Sequence, residues 1–78
     1  MYRPLKFRAI ETKTAHGTIT SIDGALALIF GLHQTIRERP YWREATAALK
    51  RAERTRLPAD VTEAYQAFTR ALTKDGLA

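Results

Sequence analysis

The sequence predicts an α+β fold in which a short N-terminal β-hairpin packs on a three-helix unit. Apolar residues recur at helical spacing through residues 21–39. Apolar and charged residues alternate near the N-terminus, which is the period of a half-buried strand. Pro40 and Pro58 then divide the rest of the chain into two more helical stretches. With 78 residues, the sequence indicates a single domain over residues 1–78.

The hairpin is expected over residues 5–20. Its first strand covers residues 5–10, and a run of β-branched residues after Gly17 predicts a short return strand over residues 17–20. A two-stranded hairpin is barely stable alone, so we expect it to lie on the first helix with Phe7 and Ile19 inward. The apolar positions of the first strand are Leu5, Phe7 and Ala9.

The first helix is predicted over residues 22–38 and forms the centre of the fold. Ser21 is a suitable N-cap, and the helix has to stop before Pro40 because a proline disfavours the α conformation of the residue that precedes it. Its predicted inner face consists of Ile22, Ala25, Leu26, Ile29, Leu32, His33 and Ile36.

Two further helices are predicted over residues 41–54 and 59–75. Three of the five inner positions of the second helix are alanine, so its partner can approach closely; they are Tyr41, Ala45, Ala48, Leu49 and Ala52. The third helix has an equally clear inner face, made of Val61, Ala64, Tyr65, Phe68, Ala71 and Leu72. Gly76 is predicted to end it in a left-handed conformation, with Leu77 folding back on Leu72 in a Schellman motif.

Composition restricts the chemistry that the chain can support. There is no cysteine, which excludes disulfides and thiolate metal sites. His16 and His33 do not form a ligand-spaced motif, so neither a metal nor a cofactor is predicted. No apolar run reaches the length of a signal peptide or a membrane span, and we therefore expect a cytoplasmic protein that does not contact a membrane.

No catalytic constellation is visible, and we predict a protein that is not an enzyme and has no small-molecule substrate. His33 has no carboxylate three or four residues away that could orient it as a base. Ser21 and Thr18 lack the glycine-rich elbow and the histidine–acid pair of a nucleophile. Capping and strand roles account for both hydroxyls.

The formal net charge of +5 favours an anionic partner. Basic residues concentrate on the second helix, where five of them stand against Glu44 and Glu53. They form either a solvated helix face or a contact surface for nucleic acid. Weak, salt-dependent nucleic-acid binding through this face is therefore the alternative function. These residues are Arg43, Lys50, Arg51, Arg54 and Arg56.

The leading function is a non-catalytic interaction module. Leu28 and Phe30 flank the inner face of the first helix on opposite sides, and three helical segments do not readily cover both. Trp42 falls about 100° around the helix from Tyr41, so the two cannot both point into the centre of the core, and Trp42 is expected at its rim. There it would be either an anchor for a partner or a lid over the small core. We therefore predict a two-fold homodimer or docking on a protein partner, with Leu28, Phe30 and Trp42 in the contact.

The helix-packing residues over residues 18–77 follow one another in an order that can be compared with known families. It runs through Ala25, Leu28-Ile29-Phe30, Pro40-Tyr41-Trp42-Arg43-Glu44-Ala45, Ala48-Leu49, Ala64-Tyr65-Gln66-Ala67-Phe68 and Asp75-Gly76-Leu77. This order resembles the small bacterial proteins grouped as domain of unknown function 982. The resemblance implies the same short sheet with helices, and it implies no activity because none is assigned to that family.

Overall fold

The computed structural model describes residues 6–78, and within them the predicted α+β class is confirmed. A two-stranded antiparallel hairpin precedes four helices. The elements are β1 (Lys6–Glu11), β2 (Thr18–Ser21), α1 (Ile22–Phe30), α2 (Gln34–Arg37), α3 (Pro40–Thr55) and α4 (Pro58–Lys74). Leu5, the first predicted strand residue, lies outside the described residues. No helix in residues 6–78 is both long and apolar enough to cross a membrane.

The hairpin packs with Phe7 and Ile19 buried, as predicted, but Ala9 is exposed and that part of the prediction is wrong. Lys6 pairs with Ser21 and Ile10 with Ile19, so β1 carries two more residues than β2 across this span. Such an irregularity breaks the alternation of a strand. It turns Ile10 inward in place of Ala9.

The helix predicted over residues 22–38 is broken into α1 and α2, which corrects the sequence-based prediction. Ser21 caps α1 as expected, since its Oγ accepts a hydrogen bond of 3.0 Å from the Gly24 N–H. The helix ends at Gly31, where glycine lowers helix stability and leaves room for the His16 ring of the hairpin loop. The chain then starts α2 from an extended His33.

The His33 imidazole therefore lies at a helix start and not on a buried face. Its Nδ1 accepts a hydrogen bond of 3.2 Å from the Thr35 N–H, and the residue is exposed. The predicted inner position of His33 is wrong, because the break at Gly31 changes the helical phase of every residue after it. Leu32 and Ile36 remain half-buried against the core.

α3 and α4 form the main helical pair, and each begins with a proline at its first turn as predicted. Alanines with the same spacing are buried on both helices, which allows close packing; they are Ala45, Ala48 and Ala52 on α3 and Ala64, Ala67 and Ala71 on α4. Gly76 has a φ of +69°, and the Leu77 N–H donates to the Leu72 carbonyl at 2.8 Å. The predicted Schellman motif at the end of α4 is confirmed.

α1 lies between β2 and α3, and it supplies much of the core. Leu28 lies on the buried face of α1 and is 1% exposed, whereas Phe30 lies outside that face and is 57% exposed. Ile29 is buried at 2% exposure, as the central position of the first helix was predicted to be. The largest fully buried side chains are Trp42, Phe68, Ile22, Leu28, Ile29, Leu49 and Leu72.

We expect Ile29→Ala to lower the free energy of unfolding by about 2–5 kcal/mol, the range for truncating a buried aliphatic side chain. Phe30→Ala is the matched control on the neighbouring exposed residue, with an expected change within about 0.5 kcal/mol. Urea melts of both variants measure the difference. A loss below about 1 kcal/mol for Ile29→Ala, less than any core truncation of this kind, would show that α1 is not central to stability.

Candidate functional site

The best candidate for a binding site is a concave surface between α1–α2 and α3, which we call the basic groove. Its volume is 520 Å³, within the size range of protein binding pockets. Most of its lining surface is apolar, and the lining includes the buried Ile29 and the exposed Phe30. The lining residues are Ile29, Phe30, Gln34, Arg37, Glu38, Arg43, Thr46, Ala47 and Lys50.

The helix break at Gly31 creates the groove. α2 lies against α3 because the chain turns after Phe30 instead of continuing along α1. Residues of α2 and the Glu38 that follows it then form one wall, and α3 forms the other. An unbroken helix over residues 22–38 would not place Arg37 opposite Arg43.

Positive charge dominates the polar part of the groove. Arg43 and Lys50 form no ion pair with any other residue in the described part of the chain. The Nε atom of Arg37 is buried and has no acceptor among residues 6–78. The single carboxylate of the lining, Glu38, accepts a hydrogen bond of 3.1 Å from the Gln34 side chain.

The structure separates the five basic residues that were predicted as a nucleic-acid surface. Arg43, Lys50 and Arg54 are spaced by seven and four residues and lie on one side of α3. Arg51 lies toward α4, with 3.7 Å between its Nη1 and the Glu63 carboxylate. Arg56 sits in the left-handed turn that ends α3. Only Arg43 and Lys50 line the basic groove.

Two of the three predicted interface residues are buried inside the chain, which corrects that part of the prediction. Leu28 is 1% exposed because α1 turns this residue into the core, and Trp42 is 0% exposed. Neither side chain can contact a partner in this conformation. Phe30 remains available, and it and Leu57 are the exposed large apolar side chains among the described residues.

Trp42 is buried because a cluster of polar groups satisfies its indole. Its Nε1–H donates a hydrogen bond of 2.5 Å to Oδ2 of Asp75, which follows the last turn of α4. The Tyr41 hydroxyl donates to Oδ1 of Asp75, and Arg39 Nη1 lies 2.6 Å from the same oxygen. We call Arg39, Tyr41, Trp42 and Asp75 the Asp75 cluster. It joins the start of α3 to the end of α4.

The charge of Asp75 is stabilised by its three donors. Burial of the carboxyl raises its pKa, but the hydrogen bonds from Tyr41, Trp42 and Arg39, with the positive charge of Arg39, outweigh burial and hold the pKa below 3.8. Both carboxylate oxygens already accept hydrogen bonds. The arrangement suits a structural clamp between the start of α3 and the end of α4.

Sequence reasoning missed the Asp75 cluster, although two signals pointed to it. An acidic residue at the C-terminal end of a helix opposes the helix dipole, so Asp75 needed a local reason for its place. A tryptophan can be fully buried when its N–H finds an acceptor. Together these observations could have placed Trp42 in the core and Tyr41 at its edge.

The remaining candidates do not assemble into a reactive site. His16 and His33 are both exposed, with His16 in the hairpin loop and His33 at the start of α2. Within residues 6–78, no three histidine, aspartate or glutamate side chains converge as metal ligands. A second cavity of 380 Å³ lies between β1 and α4 and includes Lys6, Arg8 and Tyr65 in its lining.

Comparisons with known proteins give no relative for this chain. No protein-family model matches it, and searches of curated proteins and of solved structures found no match. The resemblance to the domain of unknown function 982 family therefore stays a prediction. The functional argument depends on the geometry of the site alone.

The contribution of the Asp75 charge to stability can be measured with an isosteric substitution. We expect Asp75→Asn to destabilise the fold at neutral pH by about 1.5–3 kcal/mol, the net worth of hydrogen bonds to a charged group. Because the folded-state pKa of Asp75 lies below its ordinary 3.8, the clamp contributes fully above that value. Its contribution is lost as pH falls through the folded-state pKa.

Urea melts across the acid range measure this difference. The wild type should begin to lose its advantage over Asp75→Asn near the ordinary pKa of 3.8, and the loss should be complete once pH has fallen through the lower folded-state pKa, where the folded carboxylate takes up its proton. Glu53→Gln, at an exposed position of α3, is the control and should follow the wild type. A constant gap between wild type and Asp75→Asn at all pH values would contradict the role of the charge.

Proposed function

We propose that this protein is a non-catalytic interaction module that docks on a protein partner through the basic groove. The observation that carries the proposal is the position of Phe30, 57% exposed on a concave surface beside Arg37, Arg43 and Lys50. Aromatic and arginine side chains dominate the binding energy of protein interfaces. Phe30 and Leu57 are the large apolar side chains exposed among the described residues, and of these two only Phe30 lies in the groove beside the cations.

The polar groups of the groove favour binding over catalysis. The Thr46 hydroxyl donates a hydrogen bond of 2.9 Å to the Trp42 carbonyl, and the Glu38 carboxylate accepts from Gln34. The other charged groups of the lining are cations. A nucleophile needs a base within hydrogen-bond distance, and these contacts do not form such a pair.

A two-fold homodimer is the other form of this proposal. A symmetric contact centred on Phe30 would bring Arg43 and Lys50 of one copy close to the same residues of its partner. Like charges facing each other cost free energy across an interface. We therefore favour a different protein, of opposite charge, over a second copy of this chain.

A photo-crosslinker at Ala47, an exposed residue of the groove, tests the proposal in the native host. Ala59, an exposed alanine at the start of α4, is the matched control position. We expect a discrete protein adduct from Ala47 that is absent from Ala59. The adduct should be lost when Phe30→Asp and Lys50→Glu are introduced into the same chain, because both the apolar contact and the charge are removed.

Three outcomes of this experiment are distinct. An adduct with another protein supports the proposal, and its identity follows from mass spectrometry. An adduct of twice the mass of the chain would indicate the homodimer. Equal adducts from Ala47 and Ala59, or none from Ala47, would contradict docking through the groove.

Weak nucleic-acid binding is the second candidate, supported by the three cations on one side of α3. If Arg43, Lys50 and Arg54 each contact a phosphate, replacing all three with alanine should reduce the slope of log K against log salt by about 2.7 for duplex DNA. The matched control replaces Lys13, Arg51 and Arg70, which lie outside this side of α3, and should keep the slope. Fluorescence anisotropy at several salt concentrations provides the measurement, and no binding by the wild type at low salt would exclude this function.

A further inference from the structure

We infer that the ligand of the basic groove is an acidic segment of a partner protein that inserts one large apolar side chain beside Phe30. Carboxylates on either side of this anchor would contact Arg37, Arg43 and Lys50. The inference rests on the proposed function and adds the chemistry of the partner. It is argued from the apolar lining, the position of the cations and the state of Arg37.

The apolar lining provides a place for an anchor side chain. Ile29, which is 2% exposed, and Phe30, which is 57% exposed, both line the groove. A concave apolar surface loses water most completely when one large side chain fills it. Interfaces place such an anchor at the centre and surround it with polar contacts.

The cations lie where flanking carboxylates would reach them. Arg43 and Lys50 are seven residues apart on α3, which separates them by about 10 Å along the helix axis. Arg37 lies on the opposite wall. Arg43 and Lys50 have no ion-pair partner in the described chain. Carboxylates of an acidic ligand can therefore pair with both cations without breaking an existing ion pair.

Arg37 gives the most specific indication of a carboxylate. Its Nε is buried without an acceptor among the described residues, and such unpaired donors are uncommon in native structures. A carboxylate of the ligand would supply the acceptor that this Nε lacks, once the side chain turns so that the buried atom becomes accessible. The guanidinium fork matches the two oxygens of a carboxylate in a bidentate pair.

The same features distinguish a peptide from a nucleic acid. Arg54 lies outside the lining, so only two of the three cations in the row on α3 belong to the groove, whereas a nucleic-acid backbone would follow the whole row. One aromatic ring, Phe30, offers a single stacking platform, whereas single-strand binders stack successive bases on several. An apolar side chain flanked by carboxylates uses both the apolar lining and the cations.

Random dodecapeptides displayed on phage, selected on the full chain, test the inference. The library is first depleted on the Arg43→Glu/Lys50→Glu variant, whose fold is checked by circular dichroism and thermal melting. We expect selected peptides with one Leu, Ile, Phe or Trp flanked by Asp or Glu. A synthetic peptide of the selected sequence should shift the amide resonances of Ile29 and Ala47 in NMR spectra of the full chain.

Affinity changes of this synthetic peptide then separate the contributions. Replacing its apolar residue with Ser, or introducing Lys50→Glu in the protein, should each weaken binding at least about tenfold, as expected for central interface contacts. Arg51→Glu, the matched charge reversal outside the groove, should change the affinity less than about threefold, as rim charges do. Arg37→Lys should also weaken binding, because lysine cannot form the bidentate pair.

Several results would overturn the inference. They are selected peptides without acidic residues, unchanged affinity after the Ser replacement, or displacement of the peptide by a single-stranded oligonucleotide of equal charge at equal concentration. If Ala47 crosslinks a partner but no acidic–apolar peptide is selected, the ligand chemistry is wrong and the proposed function stands. If neither result is obtained, both fail.

Discussion

The burial of Trp42 is the constraint on which the rest of the structure depends. Its ring packs edge to face on Phe68, with 6.2 Å between the centroids, and its N–H needs the Asp75 carboxylate. Because Asp75 follows α4 and Trp42 lies in the first turn of α3, this contact sets how the two helices lie together. The orientation of α3 then decides which of its residues face α4 and which face α2. Arg43 and Lys50 are on the side that α4 does not cover.

The break at Gly31 is the second feature that shapes the surface. It ends α1 directly after Phe30, lets His16 approach, and brings α2 against α3. The side chain of His33 stabilises the new helix start, which an unbroken helix would not need. A groove with an apolar base and a basic edge follows from these local contacts. Most buried side chains lie on α3, on α4 and on the inner face of α1. Substitutions of the exposed residues of the groove therefore leave these buried side chains in place.

The sequence predicted the start or end of a helix correctly where a single residue determines it. Ser21, Pro40, Pro58 and Gly76 each act through their own backbone or side chain, and all four ended or began a helix as expected. Predictions that required a distant partner were less successful. The angle between Trp42 and Tyr41 predicts a rim position for Trp42, but its acceptor, Asp75, lies 33 residues away and allows full burial. Strand alternation groups Ala9 with Phe7, but the irregular pairing of β1 with β2 leaves Ala9 exposed.

The sequence by itself determined the fold class, the helix ends marked by proline and glycine, and the excess of basic residues on α3. These depend on backbone conformation, hydrophobic periodicity and composition, which act over a few residues. Tertiary structure alone decided that Leu28 and Trp42 are buried, that Phe30 is exposed, and that Arg43 and Lys50 of the basic set line the same groove as Arg37. Burial and charge pairing depend on which helix faces which, and that is settled by contacts between residues far apart in the chain.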